Sequence, residues 1–207
     1  MIYDPSGNVI GKLVYKYEDE YYRPYEGTEY IFLYGSTDVS IKREYKNGEI
    51  IAERFYNEET HRLEMENFYV EKDFTLKQSV FYDEVTGAKK GELNYKDGVP
   101  YDGVFYSMLS ETVYKNGRIV KSKNYSADQN LISVAELSAD GSQYNGKVYD
   151  EKGKLSLTYV SDAYADGFDA VVTQYENDKA VRTAKIKNSI FAEGKIVLET
   201  LTREGGI

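Results

Sequence analysis

The sequence predicts an all-β fold: an elongated antiparallel meander of repeated β-hairpins, as a single twisted sheet or a β-solenoid-like array. Three observations predict it. A tyrosine-led turn signal returns along the chain. The segments between signals alternate apolar and polar residues, as half-buried strands do. No window of 12 or more residues carries a helical period with caps.

The turn signal has a short form and a long form. The short form is Tyr45-Lys46-Asn47-Gly48, Tyr95-Lys96-Asp97-Gly98 and Tyr114-Lys115-Asn116-Gly117. Asn-Gly and Asp-Gly suit the two central residues of a type I′ turn, where both take positive φ and the backbone matches the strand twist. The long form is Tyr3-Asp4-Pro5-Ser6-Gly7 and Tyr149-Asp150-Glu151-Lys152-Gly153, with Tyr82-Asp83-Glu84-Val85-Thr86-Gly87 one residue longer. It predicts a type I turn closed by a left-handed glycine. Weaker copies stand at Tyr175-Glu176-Asn177-Asp178 and Phe191-Ala192-Glu193-Gly194.

Tyr34, Tyr45, Tyr56, Tyr69, Tyr82, Tyr95 and Tyr106 fall 11 or 13 residues apart. Each step is one strand plus one turn. All the steps are odd, and plain alternation then returns the equivalent tyrosines to one face. Between the turns, Leu13, Tyr15 and Tyr17 share a face, Leu63 and Met65 share one, and so do Leu155, Leu157 and Tyr159. Only one face of these strands reads as strongly apolar. Near-constant repeat geometry favours an open array of roughly 14 to 18 strands, at ~4.8 Å each about 70–85 Å long. A closed up-and-down barrel satisfies the same alternation and is the alternative.

Residues 1–207 read as one hairpin array, with 1–33 as an N-terminal cap, 34–160 as the clearest repeats and 161–207 as degenerate ones. Arg23-Pro24-Tyr25-Glu26-Gly27 breaks the rhythm and reads as part of that cap or as a loop insertion. Residues 126–145 are also irregular.

Composition narrows the function classes. Tyrosine is the unusual entry, with 22 Tyr, 8 Phe and no Trp; tyrosine favours strands. The net charge of −9 repels phosphate backbones and anionic lipid, so neither nucleic acid nor a membrane surface is an expected partner. No apolar run approaches the roughly 18 residues of a spanning helix. The absence of cysteine excludes disulfides, thiol catalysis and zinc-thiolate sites, and it is neutral as to compartment. No leader-like segment precedes Ile2-Tyr3-Asp4, and a trimmed leader fits equally, so the localisation is left open as cytoplasmic or exported.

Gly91-Glu92-Leu93-Asn94-Tyr95-Lys96-Asp97-Gly98-Val99-Pro100-Tyr101-Asp102-Gly103-Val104-Phe105-Tyr106 resembles MORN-like repeats, more specifically the bacterial variety described as YwqK-type antitoxins. The pattern is a tyrosine, a short polar stretch, a glycine, a second glycine about five residues on, and an aromatic. Gly146-Lys147-Val148-Tyr149-Asp150-Glu151-Lys152-Gly153-Lys154-Leu155 is similar to it, and a degenerate likeness spans residues 34–160. Many units lack the second glycine, among them those at Tyr45–Tyr56 and Tyr114–Tyr125. The resemblance implies serial β-hairpins and a role in protein contact or scaffolding. It carries over no binding residue, because the repeat positions serve the fold.

A search for chemistry finds no catalytic set and no cofactor or metal site. His61 is the single histidine and follows Glu58-Glu59-Thr60, which predicts an exposed loop residue and not a base. Gly141-Ser142-Gln143-Tyr144-Asn145-Gly146-Lys147 approaches a phosphate loop, but Val148 stands where the metal-binding hydroxyl belongs. Asp162-Ala163-Tyr164-Ala165-Asp166-Gly167-Phe168-Asp169 approaches a calcium loop, with Tyr164 at a ligand position and Thr173 where a bidentate Glu belongs. Glu58-Glu59 is one of many acidic pairs, and nothing distinguishes it as a glycosidase pair. Asn124-Tyr125-Ser126 fits a glycosylation acceptor on three residues only.

The pre-turn tyrosines are assigned to cross-strand packing. Tyr21, Tyr22, Tyr25 and Tyr30 lie outside the clean repeat and are the candidate partner-binding residues, since tyrosine offers a rigid ring with a polar tip. The expectation is a non-enzymatic protein-binding scaffold, with an antitoxin or immunity-type protein as its specific form; the acidity suits a basic partner. The alternatives are an envelope or surface module that holds glycan on tyrosine platforms, and a structural spacer.

Overall fold

The structure is a computed structural model. It describes residues 1–4, 7–71, 74–163 and 168–189, and for 168 and 187–189 the backbone only. The strands are β1 (Ile2–Tyr3), β2 (Val9–Gly11), β3 (Leu13–Glu18), β4 (Tyr21–Phe32), β5 (Val39–Lys46), β6 (Glu49–Tyr56), β7 (Leu63–Tyr69), β8 (Leu76–Tyr82) and β9 (Lys89–Lys96). They continue as β10 (Val99–Tyr106), β11 (Ser110–Lys115), β12 (Arg118–Tyr125), β13 (Leu131–Leu137), β14 (Gln143–Tyr149), β15 (Leu155–Asp162), β16 (Phe168–Glu176) and β17 (Lys179–Ser189). The described residues contain no helix. Strands β3 to β17 follow one another in chain order as an antiparallel meander that is not closed into a barrel; β1 and β2 form a separate two-stranded ladder. The chain divides into two compact units, Met1–Phe105 with Tyr114–Gly117, and Tyr106–Val113 with the residues from Arg118 onward.

The turns form for the backbone reasons the sequence announces. Asn47 and Gly48 have φ of 54° and 86°, Asp97 and Gly98 53° and 75°, and Asn116 and Gly117 52° and 76°. Asn177-Asp178 takes the same conformation. So does Asp19-Glu20, which joins β3 to β4 and has no glycine. In the longer loops Asp83 N–H donates to Ala88 O at 2.8 Å and Gly87 N–H to Asp83 O at 2.7 Å. Asn57 and His61 repeat that loop, with His61 at φ 56° where Gly87 stands. Asn57 Oδ1 compensates by accepting the N–H groups of Glu59 and Thr60. Of the turn residues 3–7, Pro5 and Ser6 lie outside the described residues, as does all of 191–194.

Ladder after ladder carries a β-bulge just past the turn. Tyr45 pairs with Ile50 but Glu44 with Ala52, so Ile51 is an extra residue on the outgoing strand. Glu64, Lys77, Lys90, Ile132 and Ser156 are extra in the same way. The β13–β14 and β15–β16 ladders run without a bulge. A bulge puts two residues opposite one and shifts the alternation by one place. The expected face assignments change accordingly. Leu63 pairs with Tyr56 and Met65 with Phe55, so these two point to opposite faces. Leu155 likewise opposes Leu157. The pre-turn tyrosines alternate faces instead of sharing one: Tyr45, Tyr69 and Tyr95 lie on the first, Tyr56 and Tyr82 on the second.

In the first unit both faces mix apolar and charged rows. On the first face, Ile31, Ile41, Phe55, Met65 and Phe81 stand opposite one another strand by strand. The adjacent row is Glu29, Arg43, Glu53, Asn67, Ser79 and Leu93. Tyr45 Oη donates to Glu29 at 2.9 Å, and Tyr69 Oη to the buried Glu53 at 2.5 Å. Arg43 Nε donates to the other oxygen of Glu53 at 2.7 Å. On the second face Arg54 joins Glu66 at 2.7 Å and Glu44 at 2.5 Å, and Tyr82 donates to Glu66. The Tyr45, Tyr69 and Tyr82 rings thus reach back one strand to a carboxylate, whereas Tyr95 reaches back to Ser79 Oγ at 3.2 Å. Burial, together with the neighbouring carboxylate, pushes the Tyr45, Tyr69 and Tyr82 phenols up to about 12.

The second unit has the cleaner apolar face. Leu157, Tyr159, Ala170, Val172 and Ile186 form its buried cluster, with Ala135, Val148 and Ala184 packed against it. Gly146 stands opposite Tyr159, whose ring lies across it; a Cβ there would meet the ring at 2.0 Å. Burial raises the Tyr159 phenol.

Two glycines are held by backbone contact. Gly27 (φ 114°) and Gly103 (φ 124°) each face a backbone carbonyl, Lys12 O just before β3 and Glu92 O within β9, that a Cβ would approach to 2.0 and 2.1 Å. Gly103→Ala is expected to cost roughly 3 kcal/mol or more, because strand and bulge must separate. Gly87→Ala, left-handed but in open space, is expected to cost roughly 1 kcal/mol; urea denaturation of the two variants measures the contrast. The raised tyrosines link stability to alkaline pH. Their folded pKa lies above the unfolded value of 10, so their contribution is complete below pH 10 and is lost as pH rises through about 12. Absorbance titration of the folded chain should show a late-ionising tyrosine fraction that Tyr45→Phe, Tyr69→Phe and Tyr82→Phe together reduce, the buried Tyr159 still contributing to the remainder.

Candidate partner-binding surface

The β3–β4 hairpin holds the described cluster of exposed aromatics. Tyr17 pairs with Tyr22 and Tyr15 with Pro24, so all four share one face. Tyr15 is 53% exposed, Tyr17 61% and Tyr22 73%. The Tyr17 and Tyr22 rings lie 5.0 Å apart and tilted by 54°. Tyr21 is equally exposed but paired with Glu18 on the opposite face. Beside it Lys16 Nζ meets Glu18 at 2.5 Å, an exposed contact that raises the lysine and lowers the carboxylate through their hydrogen bond. Strand alternation places the rings, and no bulge interrupts β3.

The four tyrosines expected to bind a partner are therefore divided. Tyr21 and Tyr22 stand in solvent at the hairpin tip. Tyr25 and Tyr30 are half-buried and hold the fold. Tyr25 is the extra residue of a bulge: its carbonyl accepts the Gly48 N–H at 2.8 Å, and its ring sits under the Lys16 ammonium at 5.3 Å. Tyr30 Oη donates to Ile10 O at 3.0 Å, and its ring covers Gly11. Arg23–Gly27 is not a loop insertion but part of β4, paired with β3 through this bulge. Tyr15 and Tyr17 complete the exposed row. Their alternation with Leu13 predicts one shared, shielded face; the face is shared, but both rings stand in solvent.

The other sequence features resolve locally. The His61 side chain is half exposed, with Nδ1 3.8 Å from Asp38 Oδ1. Gly141 closes a turn and the residues after it enter β14, a strand, so the phosphate-loop likeness has no helix behind it. The calcium-loop likeness falls on 164–167, outside the described residues. Among the described residues no three His, Asp or Glu side chains converge as a metal site.

The fold defines the class as an antiparallel β-hairpin repeat protein. No family model matches the chain, and no curated protein matches it. Among solved structures it is similar to a stretch of the "TcdB2-TccC3-Cdc42" structure, with TM-score 0.25, 11% identity, and coverage of 88% of this chain and 12% of that one. It is also similar to a stretch of the "GtfA/B complex bound to UDP and GlcNAc", with TM-score 0.14, 15% identity, and coverage of 76% and 26%. The chain spans a small part of either neighbour, and likeness at this level carries no functional weight.

Unequal roles for the four tyrosines give unequal costs. Tyr22→Ser should change stability by less than about 0.5 kcal/mol, as for a solvent-facing site. Tyr30→Phe should cost roughly 1 kcal/mol by orphaning the Ile10 carbonyl. Chemical denaturation of both variants measures the difference.

Proposed function

We propose that this protein is a non-catalytic, protein-binding repeat scaffold whose contact surface is the exposed tyrosine row of the β3–β4 hairpin. The observation that carries the reading is that row itself: Tyr15, Tyr17 and Tyr22, each more than half exposed, on one face of one hairpin. Rigid rings with polar tips gain contact area at little entropic cost, which is why tyrosine is enriched at interfaces. The net charge of −9 favours a basic partner and speeds its approach. The resemblance to antitoxin-type hairpin repeats points the same way and supplies the specific form, capture of a basic toxin-like protein.

Affinity capture from the source cells tests it. The native chain should retain a stoichiometric basic protein, and retention should weaken with salt. Tyr17→Ser with Tyr22→Ser should reduce retention at least tenfold while leaving the melting temperature within a few degrees. Equal retention by the double variant, or no retained protein across a range of salt, would reject this surface.

A further inference from the structure

The β3–β4 hairpin is a longer version of the β9–β10 hairpin. Tyr15 pairs with Pro24 as Tyr95 pairs with Pro100, but β9–β10 adds only Lys96–Val99 before its turn. The β3–β4 hairpin adds Lys16–Arg23, Tyr17–Tyr22 and Glu18–Tyr21. The last two pairs are an extension, and one of them sets tyrosine against tyrosine. The two-residue turn at Asp19-Glu20 makes Glu18–Tyr21 the hydrogen-bonded pair. Tyr17–Tyr22 is then the non-hydrogen-bonded pair, in which side chains approach most closely.

The two rings lie with centroids 5.0 Å apart and planes tilted by 54°, both well exposed. That separation brings ring carbons into van der Waals contact. A biaryl bond holds its ring centres a little closer and twists them by a comparable angle, so the pair stands near the geometry of a joined product. Among the described residues, the other exposed tyrosines, Tyr3, Tyr15, Tyr21 and Tyr34, have no ring contact with a second tyrosine. The half-buried set differs again. Carboxylates hold the Tyr45, Tyr69 and Tyr82 hydroxyls, and the Tyr69 ring stacks at 4.5 Å on Phe74, a ring that forms no phenoxyl radical.

We propose that Tyr17 and Tyr22 form an oxidative modification site, where a peroxidase-type one-electron oxidant fed by hydrogen peroxide joins the two rings into a cross-strand dityrosine. Each phenol loses one electron and its hydroxyl proton, leaving a phenoxyl radical with spin on the ring carbons beside the oxygen. One such carbon, a Cε, of each ring forms the new carbon–carbon bond. The hydrogen on each bonded carbon then moves as a proton to the oxygen and restores both phenols. The two electrons and two protons released reduce one hydrogen peroxide to two waters. Exposed side chains re-orient in picoseconds to nanoseconds, so the rings sample the coupling geometry continually. The contact is internal to one hairpin and calls on no third strand. Its consequence is local. Asp19 and Glu20 both hold positive φ without a glycine, and the bond keeps that turn shut. So short a closed loop removes little unfolded-chain entropy, so global stability changes little.

Oxidation of the full chain at low concentration, with a peroxidase and limiting hydrogen peroxide, tests this. The monomer should lose two hydrogens in mass and gain dityrosine fluorescence. Cleavage after Glu18 and Glu20 should leave the fragments bearing Tyr17 and Tyr22 joined. Tyr17→Phe and Tyr22→Phe, both at solvent-facing sites that keep the fold, should each lower the monomer's dityrosine at least fivefold. Tyr21→Phe, on the opposite face, should leave it within a factor of two. No dityrosine in the monomer, dityrosine confined to cross-linked dimers, or a yield indifferent to Tyr17→Phe and Tyr22→Phe would overturn the proposal. No partner protein enters the assay, so a failure here leaves the protein-binding reading standing, and the reverse.

Discussion

Everything in this sheet depends on a single extra residue placed just beyond the turn. Where the outgoing strand takes two residues opposite one, the backbone bends and the strand twist increases. At Gly27 and Gly103 that bend brings the chain against a backbone carbonyl, Lys12 O or Glu92 O, and only a glycine fits. At Tyr25 and Tyr101 it frees a carbonyl that the glycine of a later turn then binds. The bulge also reverses which face each following side chain takes. Tyrosine rings, carboxylates and apolar rows fall where they do because the alternation is reset in most hairpins.

A sheet organised this way is held by cross-strand pairs on both sides more than by one thick core. In the first unit a buried glutamate, Glu53, is tolerated because Arg43 and Tyr69 occupy its two oxygens. Arg54 with Glu66, Glu44 and Tyr82 does the same on the other face. Removing one member of such a set leaves a charge without its partner, which costs more than the contact contributed. The second unit uses a different device, a small-residue row of Ala135, Gly146 and Ala184 that admits the Tyr159 ring beside Val172.

The β3–β4 and β9–β10 hairpins show one repeat position in two surroundings: Leu13 opposes Gly27 and Tyr15 opposes Pro24, as Leu93 opposes Gly103 and Tyr95 opposes Pro100. Tyr15 and Tyr95 occupy equivalent positions in equivalent hairpins. One is a structural ring bonded to Ser79; the other stands in solvent. The residue type, the register and the bulge are the same. The adjacent strand alone makes the difference, so a repeat position has no fixed function. Its role is set by what lies across the next ladder.

The amino-acid sequence by itself determined the strand class, the turn positions and the order of hairpins. Asn-Gly, Asp-Gly and Tyr-Asp-x-x-Gly dictate local dihedral angles, and local dihedral angles are written in consecutive residues. It also pointed to Tyr21 and Tyr22, because a tyrosine-dense segment lies outside the regular spacing. Only the tertiary structure decided the bulges, since an unpaired residue exists only relative to the strand opposite. From that one omission follow the reversed faces of Leu63 and Met65, the alternating tyrosines, and the structural places of Tyr25 and Tyr30. The exposure of Tyr15 and Tyr17 was undecidable for the same reason: a period-two pattern says which residues share a face, while water or a neighbouring strand decides whether that face is covered.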